Sequence, residues 1–226
     1  MKALIFDVDG TLAETEDLHR LAFNRTFQEA GLDWHWSVAT YTQLLKTTGG
    51  KERMRAWGDF TGEDISDDKI GELHRTKTDH YGALLAGGAF ALRPGVSDLI
   101  SHAKKQGIRL AVATTTNRPN VDALCQSCFG KPAEDIFEVI AAGDEVREKK
   151  PAPDVYLLAL DRLRLSPRDA IALEDSRNGV LSAKAAGLQV IATPSVYTAA
   201  DRLDEADKIV SDLSVDAVEG LLACCG

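Results

Sequence analysis

Ala3-Leu4-Ile5-Phe6-Asp7-Val8-Asp9-Gly10-Thr11 is the stretch that decides how this 226-residue chain folds. Its first four residues form a short apolar run, which is typical of a buried strand. Side chains two positions apart share a face of an extended chain, so Asp7 and Asp9 point the same way if the strand continues through Val8. Gly10 then permits a sharp turn. Two adjacent carboxylates repel each other unless a cation or a shared proton intervenes, so the stretch predicts chemistry at the strand end.

Composition and charge exclude several classes of protein. The chain has 44% hydrophobic and 27% charged residues and a net charge of −9, which argues against a nucleic-acid or anionic-membrane surface. A small anionic substrate stays compatible, because a few local Lys and Arg side chains set the field of a cleft. The first strand begins at residue 3, which leaves no room for a signal peptide, and no apolar run approaches membrane-spanning length. We therefore expect a soluble, cytoplasmic protein. A monomer is a separate expectation, which no sequence feature carries.

The first third of the chain predicts a helical insert. Apolar residues recur at three- and four-residue spacing from Glu16 to Ala30, and Gly31 follows as a stop signal. Residues 33–88 contain no convincing strand, and helical segments are predicted near 37–46, 50–58 and 66–85. We expect a helical cap domain at 15–88, inserted into a core made of 1–14 and 89–226. Linkers near 12–15 and 87–92 would allow this cap to swing over the site.

From Leu92 onward the pattern alternates between helices and strands. Strands are predicted at 108–113, near 136–142, at 170–173 and 189–192, with a possible edge strand at 208–210. Helices are predicted between them, up to Lys105, after Pro119, and at 154–163, 178–186 and 214–223. This alternation predicts an α/β fold with a doubly wound parallel sheet, a Rossmann-like core. Ligands of such sheets bind at the carboxyl ends of the strands, where the strand order reverses.

Polar residues follow several of these strands. They are the pair Asp7/Asp9, Thr114 after the second strand, Lys150 before a predicted helix, and the pair Glu174/Asp175. Each has an ordinary structural explanation: a turn, a hydroxyl that bonds the backbone, a solvated lysine and a helix cap. Their joint occurrence at strand ends instead predicts one site.

This set resembles the motifs of the haloacid-dehalogenase-like phosphatase superfamily, in the same order and over almost the whole chain. The Asp-x-Asp-Gly-Thr motif stands at 7–11, a strand ends in Thr114, Lys150 precedes a helix, and the acidic pair is Glu174-Asp175. The helical insert resembles that superfamily's cap. The resemblance implies a phosphatase or phosphomutase, because dehalogenases and P-type ATPases lack an aspartate like Asp9.

The resemblance also implies a magnesium site. Mg²⁺ prefers oxygen ligands, and Asp7 and Asp175 are the expected direct carboxylate ligands. Glu174 would bind directly or through water, and the backbone carbonyl at Val8 or Asp9 would add a further ligand. The metal would act as Lewis acid and template for the phosphate.

Four residues have catalytic roles in this scheme. Asp7 would attack phosphorus and form an aspartyl-phosphate. Asp9 would protonate the leaving oxygen and then activate the water that hydrolyses the intermediate. Thr114 would hydrogen-bond the transferring group, and Lys150 would neutralise its charge.

Polar clusters in the cap and in the core are the candidates for substrate binding. A glycine-rich loop before a helix can hold an anion with backbone N–H groups, although a flexible loop before a solvated helix explains the same residues. Two residues of the first cap helix would meet sugar hydroxyls, and for one of them, His19, an ordinary exposed helix position is the alternative. The candidates are Glu16, His19, Thr48, Gly49, Gly50, Lys51, Arg53, Thr115, Thr116, Asn117 and Arg118.

The runs at 9–16, 47–53 and 174–179 are similar to those of the CbbY-type sugar-bisphosphate phosphatases, which share cap and core with β-phosphoglucomutase. This similarity implies hydrolysis of a sugar bisphosphate, chiefly xylulose 1,5-bisphosphate, an inhibitory by-product of Rubisco. A sugar phosphomutase is the first alternative. A non-catalytic protein that binds a sugar phosphate is the second, although binding alone requires no nucleophile beside an acid.

The cysteines give a weak signal. Cys125 and Cys128 lie on a predicted helix, where partly buried thiols are expected and a zinc or redox pair is the alternative. Cys224 and Cys225 are expected to be tail residues. Nothing in this pattern favours disulfides.

Overall fold

One parallel sheet organises the molecule. The structure is a computed structural model, and it describes residues 1–88 and 91–222. In this part of the chain the sheet has six strands, in the order β3-β2-β1-β4-β5-β6, and every neighbouring pair is parallel. The strands are β1 (Ala3–Phe6), β2 (Arg109–Ala113), β3 (Val139–Ala141), β4 (Ala170–Glu174), β5 (Gln189–Ala192) and β6 (Lys208–Ile209). The predicted doubly wound α/β fold is confirmed.

The helices connect these strands much as the sequence predicts. They are α1 (Glu16–Glu29), α2 (Val38–Leu44), α3 (Gly50–Thr61), α4 (Asp67–Gly87), α5 (Val96–Lys105), α6 (Arg118–Phe129), α7 (Asp154–Leu163), α8 (Arg177–Ala185) and α9 (Val215–Leu222). The strand predicted near 136–142 is shorter, because the N–H groups of Ile136 and Phe137 still bond back to the Ala133 carbonyl, in the turn that begins with the 3₁₀ helix Ala133–Asp135. The predicted end of the last helix at 223 and the tail cysteines Cys224 and Cys225 lie outside the described residues. None of the described helices combines the length and the hydropathy needed to span a membrane.

Strand β1 is buried on both faces. Leu4 and Phe6 pack into the apolar cluster that α5 and α6 cover, and Ala3 and Ile5 pack into the cluster under α7 and α8. All four side chains are fully buried. Burial of each large side chain contributes about 2 kcal/mol, so β1 is held firmly at the centre of the sheet.

The strand order reverses beside β1. The chain adds β2 and β3 on one side of β1, then returns to place β4 on the other side. In doubly wound sheets the crevice at such a reversal binds ligands. Asp7 directly follows β1 and Glu174 ends β4, so two of the predicted acidic positions meet at this crevice.

Helices α1–α4 lie between β1 and α5, and we call this segment the cap. Its described residues form no strand. They have an apolar cluster of their own, formed by Phe23, Phe27, Trp34, Trp36, Tyr41, Met54, Ile70 and Leu73. Helix α4 also reaches the core, since Tyr81 and Leu85 belong to the cluster on the α5/α6 side of the sheet. The domain limits at 14/15 and 88/89 stay a prediction, and residues 89 and 90 fall outside the described ranges.

Candidate active site

Lys150 joins the acidic residues at the centre of the site. Its ammonium donates hydrogen bonds to Asp7 Oδ1 (2.7 Å), Glu174 Oε1 (2.6 Å) and the carbonyl of Ala113 (3.0 Å). It is almost completely buried, and these carboxylates raise its pKa in spite of its burial. Lys150 does not stand at a strand end as expected, because the 3₁₀ turn Gly143–Glu145 and a loop separate it from β3.

Asp7, Glu174 and Asp175 form a buried group that can hold a metal ion. Each offers one carboxylate oxygen, and these oxygens lie within 4.8 Å of one another. Burial and the charges of Glu174 and Asp9 raise the pKa of Asp7 to about 8, although Lys150 acts to lower it. Burial and the charges of Asp7 and Glu174 likewise raise the pKa of Asp175. A cation would relieve this repulsion, and oxygen donors suit a hard ion such as Mg²⁺.

One buried oxygen supports the same conclusion. Glu174 Oε1 accepts hydrogen bonds from Lys150 and from the Tyr156 hydroxyl (2.6 Å), but Oε2 is buried without a hydrogen-bond partner among the described residues. A partnerless buried carboxylate oxygen is costly, and a metal ion or its water would satisfy it. The side chain of Asp9 is not a member of this group, and the backbone carbonyl at Val8 or Asp9 stays the predicted further ligand.

Gly10 allows the loop after β1 to approach Asp175 closely. Its φ is +82°, a conformation that L side chains rarely adopt. A Cβ atom at this position would lie 2.2 Å from Asp175 Oδ2. The glycine therefore brings the loop that carries Asp9 against the carboxylate that follows β4.

Asp9 faces the cap. Its Oδ1 accepts a hydrogen bond from the Thr15 hydroxyl (2.5 Å) and pairs with His19 Nε2 (2.9 Å). His19 Nδ1 contacts the ammonium of the buried Lys77 on α4. Because a carboxylate only accepts, His19 Nε2 donates to Asp9, and His19 links Asp9 to Lys77.

This chain of contacts determines the protonation of Asp9. Its burial alone would raise the pKa, but the charge and hydrogen bond of His19, the hydrogen bond from Thr15 and the charge of Lys77 lower it to about 2. Asp9 is therefore a carboxylate in this arrangement, the form that a general base requires. The predicted contact of His19 with a sugar hydroxyl competes with its bond to Asp9.

Two adjoining cavities lie between the cap and the sheet. One, of about 400 Å³, is lined by Asp7, Thr114, Lys150 and Asp175, and we call it the reacting pocket. The other, of about 470 Å³, is here called the distal pocket. Asp9, Glu16, Arg53 and Thr115 line both cavities, so the two are halves of one cleft.

Thr114 belongs to the reacting pocket. It is buried, and its Oγ1 accepts the backbone N–H of Thr116 (3.1 Å). That bond leaves its O–H free to donate toward the pocket. Thr114 can therefore fill both predicted roles. Its oxygen bonds the backbone, and its O–H can bind a transferring group.

The glycine-rich loop of the cap lines both cavities. Gly49, Gly50 and Lys51 line the distal pocket. Thr48 lines the reacting pocket, and its hydroxyl donates to the carbonyl of Lys150. The loop therefore contacts the core directly above the buried ammonium.

Arg53 stabilises that loop from within the cap. Its guanidinium donates to the carbonyls of Leu44 (3.2 Å) and Thr47 (3.3 Å) and to the Tyr41 hydroxyl (2.8 Å), and the residue is buried. The Tyr41 hydroxyl in turn donates to Glu16 Oε2 (2.8 Å). Two of the five N–H donors of Arg53 are thus used inside the cap, while Lys51 is exposed at the pocket.

Three of the four candidate residues in the turn after β2 line the site. Thr115, Thr116 and Asn117 line the distal pocket, but Arg118 does not. Arg118 is the first residue of α6 and points to the surface, where it pairs with Asp122 (2.9 Å) and Glu134 (2.9 Å). The prediction that Arg118 contacts substrate is therefore not supported, because helix geometry turns it toward carboxylates four positions away and beyond.

Helix α4 contributes residues that sequence reasoning missed. Gly71, His74, Arg75 and Lys77 line the distal pocket. A signal was present: Lys77 occupies the buried stripe of α4 between Leu73 and Tyr81, where an apolar residue is expected. The other missed residues of the distal pocket are Phe23, Glu52, Asn120, Gly143, Asp144 and Lys149. The missed residues of the reacting pocket are Thr42, Gln43, Leu45, Lys46, Ser176, Arg177, Asn178, Tyr197, Thr198, Ala200 and Asp201.

The thiols of α6 lie away from this cleft. Cys125 is buried, and burial and the charge of Asp122 raise its pKa to about 12. A thiol with such a pKa is not a reactive thiolate at neutral pH. This agrees with the expectation of partly buried helix thiols.

Comparison with known proteins defines the class. The model of the haloacid dehalogenase-like hydrolases matches residues 1–187, and the chain belongs to this family. Protein CbbY of Rhodobacter capsulatus is 58% identical over 221 residues, which cover 98% of this chain and 97% of that protein. The chain is thus an enzyme, a phosphatase of the CbbY type.

Solved structures agree. A mutant of CbbY from Rhodobacter sphaeroides, crystallised in complex with xylulose-(1,5)bisphosphate, matches with a TM-score of 0.92 and 53% identity over 95% of each chain. A β-phosphoglucomutase from Clostridium difficile matches with a TM-score of 0.82 but 20% identity, over 98% of this chain and 96% of that one. The second similarity establishes a shared fold only.

Proposed function

We propose that this protein is a Mg²⁺-dependent phosphatase that hydrolyses a sugar bisphosphate, with xylulose 1,5-bisphosphate as the preferred substrate. The observation that carries the proposal is the division of one cleft into two pockets, each with its own cationic groups. Lys150 serves the reacting pocket, and Lys51, Arg75 and Lys77 serve the distal pocket. A substrate with a phosphate at each end fits such a distribution of charge.

The reacting pocket supports an in-line attack on phosphorus by Asp7. Lys150 holds Asp7 Oδ1 at 2.7 Å, which orients the nucleophile and offsets the charge of the incoming phosphate. When bound by Asp7, Asp175 and Glu174, Mg²⁺ would supply Lewis-acid polarisation of the phosphate. Attack by Asp7 gives an aspartyl-phosphate and releases the sugar oxygen.

Asp9 is proposed to exchange protons on the cap side of Asp7. Its low pKa supports the second half of the cycle, in which a carboxylate removes a proton from the water that attacks the aspartyl-phosphate. In the first half Asp9 must carry a proton to the leaving oxygen. The anionic substrate favours that protonated form, because a second negative charge beside Asp9 raises its pKa.

The distal pocket is proposed to bind the second phosphate and the sugar hydroxyls. Gly49 and Gly50 stand at the start of α3. The backbone N–H groups there lie at a helix N-terminus, which attracts an anion. Glu16 and Asn117 offer an acceptor and a donor to hydroxyls between the two phosphates. The bisphosphate in the complex of the 53% identical relative supports this choice of substrate.

Release of phosphate from xylulose 1,5-bisphosphate, with and without Mg²⁺, tests the proposal. We expect turnover that requires Mg²⁺ and falls at least about 1,000-fold in Asp7→Asn, since a nucleophile contributes on that order or more. Lys51→Ala should raise KM for the bisphosphate about tenfold and leave KM for a sugar monophosphate within about twofold. Lys69→Ala is the matched control, because Lys69 is exposed and pairs with Glu72.

Other outcomes would select the alternatives. Turnover in Asp7→Asn would contradict the assignment of the nucleophile. Isomerised sugar phosphate from β-glucose 1-phosphate, instead of free phosphate, would identify a mutase. Tight binding without turnover over a panel of phosphate esters would identify a non-catalytic binding protein.

A further inference from the structure

The loop after β5 reaches from the core to the cap through Tyr197. The Tyr197 hydroxyl donates to Asp17 Oδ1 of α1 (2.7 Å). Its ring meets the ring of Tyr41 edge-on, with centroids 5.8 Å apart and planes at 88°. Tyr197 also packs against the aromatic cluster of the cap. One side chain of the core is thus inserted into the cap.

The same loop holds the candidate metal ligand Asp175. Thr198 Oγ1 lies 3.0 Å from Asp175 Oδ2 and 2.9 Å from the carbonyl oxygen of Asp175. The backbone N–H of Ser195 donates to that Oγ1 (2.9 Å), and both side chains are buried. Because Tyr197 lies between Ser195 and Thr198, the contact with the cap and the contact with Asp175 are two ends of one short turn.

On the cap side the contact leads to substrate-facing groups. Tyr41, against which Tyr197 packs, donates to Glu16 and accepts from Arg53 (2.8 Å each). Both of these residues line the two halves of the cleft. The position of Tyr41 against Tyr197 therefore sets where Glu16 stands relative to the reacting pocket.

The hydroxyl of Tyr197 is not required for the cap to fold. Asp17 Oδ1 also accepts from Arg20 Nε (2.9 Å) within α1, so it keeps a partner when the tyrosine is changed. Removal of the hydroxyl therefore removes the hydrogen bond between the core and the cap and leaves no unpaired buried charge.

We propose that Tyr197 is a positioning residue for bisphosphate hydrolysis: it holds the cap in register with Asp175 through Asp17 and Tyr41. The proposal rests on the proposed function, since it concerns the same reaction. A hydrogen bond that exists only when cap and core meet favours the closed arrangement, and its loss lowers the closed fraction. A substrate that uses both pockets depends on closure, whereas a small monoester that fills only the reacting pocket depends on it less.

Steady-state kinetics of Tyr197→Phe with two substrates test this role at saturating Mg²⁺. We expect kcat/KM for xylulose 1,5-bisphosphate to fall about fivefold, mainly through KM, as the loss of one hydrogen bond implies. For p-nitrophenyl phosphate the change should stay below about twofold. Val196→Ala, in the same loop with an exposed side chain, should change neither substrate's kinetics.

A double variant separates positioning from general destabilisation. Asp17→Ala should reproduce the effect of Tyr197→Phe, and the double variant should be no worse than either single one, because both remove the same contact. Equal losses with both substrates, no loss with either, or additive losses would each overturn the proposal. Failure of the proposed function is distinct: the wild-type protein would then hydrolyse p-nitrophenyl phosphate but not the bisphosphate.

Discussion

At the scale of single residues, the most informative is Lys77. It is buried among Phe23 and Tyr81, with its ammonium 4.9 Å and 5.0 Å from the centroids of their rings, and it contacts His19. Burial lowers its pKa to about 7, although the charge of Asp9 acts to raise it. A buried lysine is costly in a helix core, and here its charge lowers the pKa of Asp9.

The lowered pKa of Lys77 predicts a pH-dependent stability. Between about pH 7 and pH 10 the unfolded chain keeps the proton that folded Lys77 loses, so the free energy of unfolding rises with pH. Below pH 7 the folded protein bears the full cost of the buried charge. Lys77→Met removes this cost, so the variant gains free energy of unfolding relative to the wild type at pH 7. That difference between the two proteins should shrink by about 2 kcal/mol from pH 7 to pH 9. Denaturant unfolding of both metal-free proteins measures the difference.

The exposed Lys69 on the same helix is the control for this experiment. Lys69→Met should give a difference from the wild type that is constant between pH 7 and pH 9, because the ion pair of Lys69 with Glu72 is at the surface. A constant difference for Lys77→Met as well would show that Lys77 does not titrate in this range. Such a result would contradict a pKa of about 7 for Lys77.

At the scale of elements, α4 combines packing with binding. Its start follows from local rules: the Ser66 hydroxyl accepts the N–H of Lys69 (3.3 Å), and Asp67 and Asp68 occupy the first turn. Its buried stripe packs on α1 and reaches the core cluster through Tyr81 and Leu85. This packing presents the neighbouring face of α4, with His74 and Arg75, to the distal pocket.

Two arginines provide a matched test of this placement. Arg75→Gln should raise KM for the bisphosphate about fivefold to tenfold, because Arg75 lines the distal pocket. Arg118→Gln should change KM less than twofold, because Arg118 pairs with Asp122 and Glu134 at the surface. Steady-state assays of both variants measure the contrast. A larger effect at Arg118 would contradict the orientation of α6.

At the scale of the whole molecule, the metal site joins distant parts of the chain. Asp7 follows β1, Glu174 is the last residue of β4 and Asp175 comes next, so the site exists only when the two strands pair. A ligand that binds only the folded state stabilises it by mass action. The folding of the sheet and the binding of a cation are therefore coupled.

Thermal unfolding tests this coupling. Mg²⁺ at about 100 times its Kd should raise Tm by roughly 5 to 10 °C, compared with NaCl at equal ionic strength. Asp175→Asn should abolish this increase and should not lower Tm in the absence of Mg²⁺, because it removes a buried repulsive charge. Asp204→Asn, at an exposed carboxylate, should keep the full increase. An increase retained in Asp175→Asn would exclude Asp175 as a ligand.

Much of the fold follows from local patterns. The short apolar run of β1, the alternation of strands and helices after Leu92, and the helical periodicity of the insert predict the parallel sheet and the position of the cap. Boundaries shift where a turn competes with a strand, as at Ile136 and Phe137 before β3. Strand ends also suggest which acidic and cationic residues meet, because parallel strands align their carboxyl ends at one edge.

The sequence by itself determined the fold class and the order of the motifs, from Asp7 to Asp175, because period and spacing are properties of neighbouring residues. Tertiary structure alone decided that Lys77 contacts His19, that Arg118 faces the surface and that Tyr197 enters the cap. These contacts depend on how two packed bodies are oriented. That orientation arises from many small packing contacts between distant segments, which no local pattern encodes.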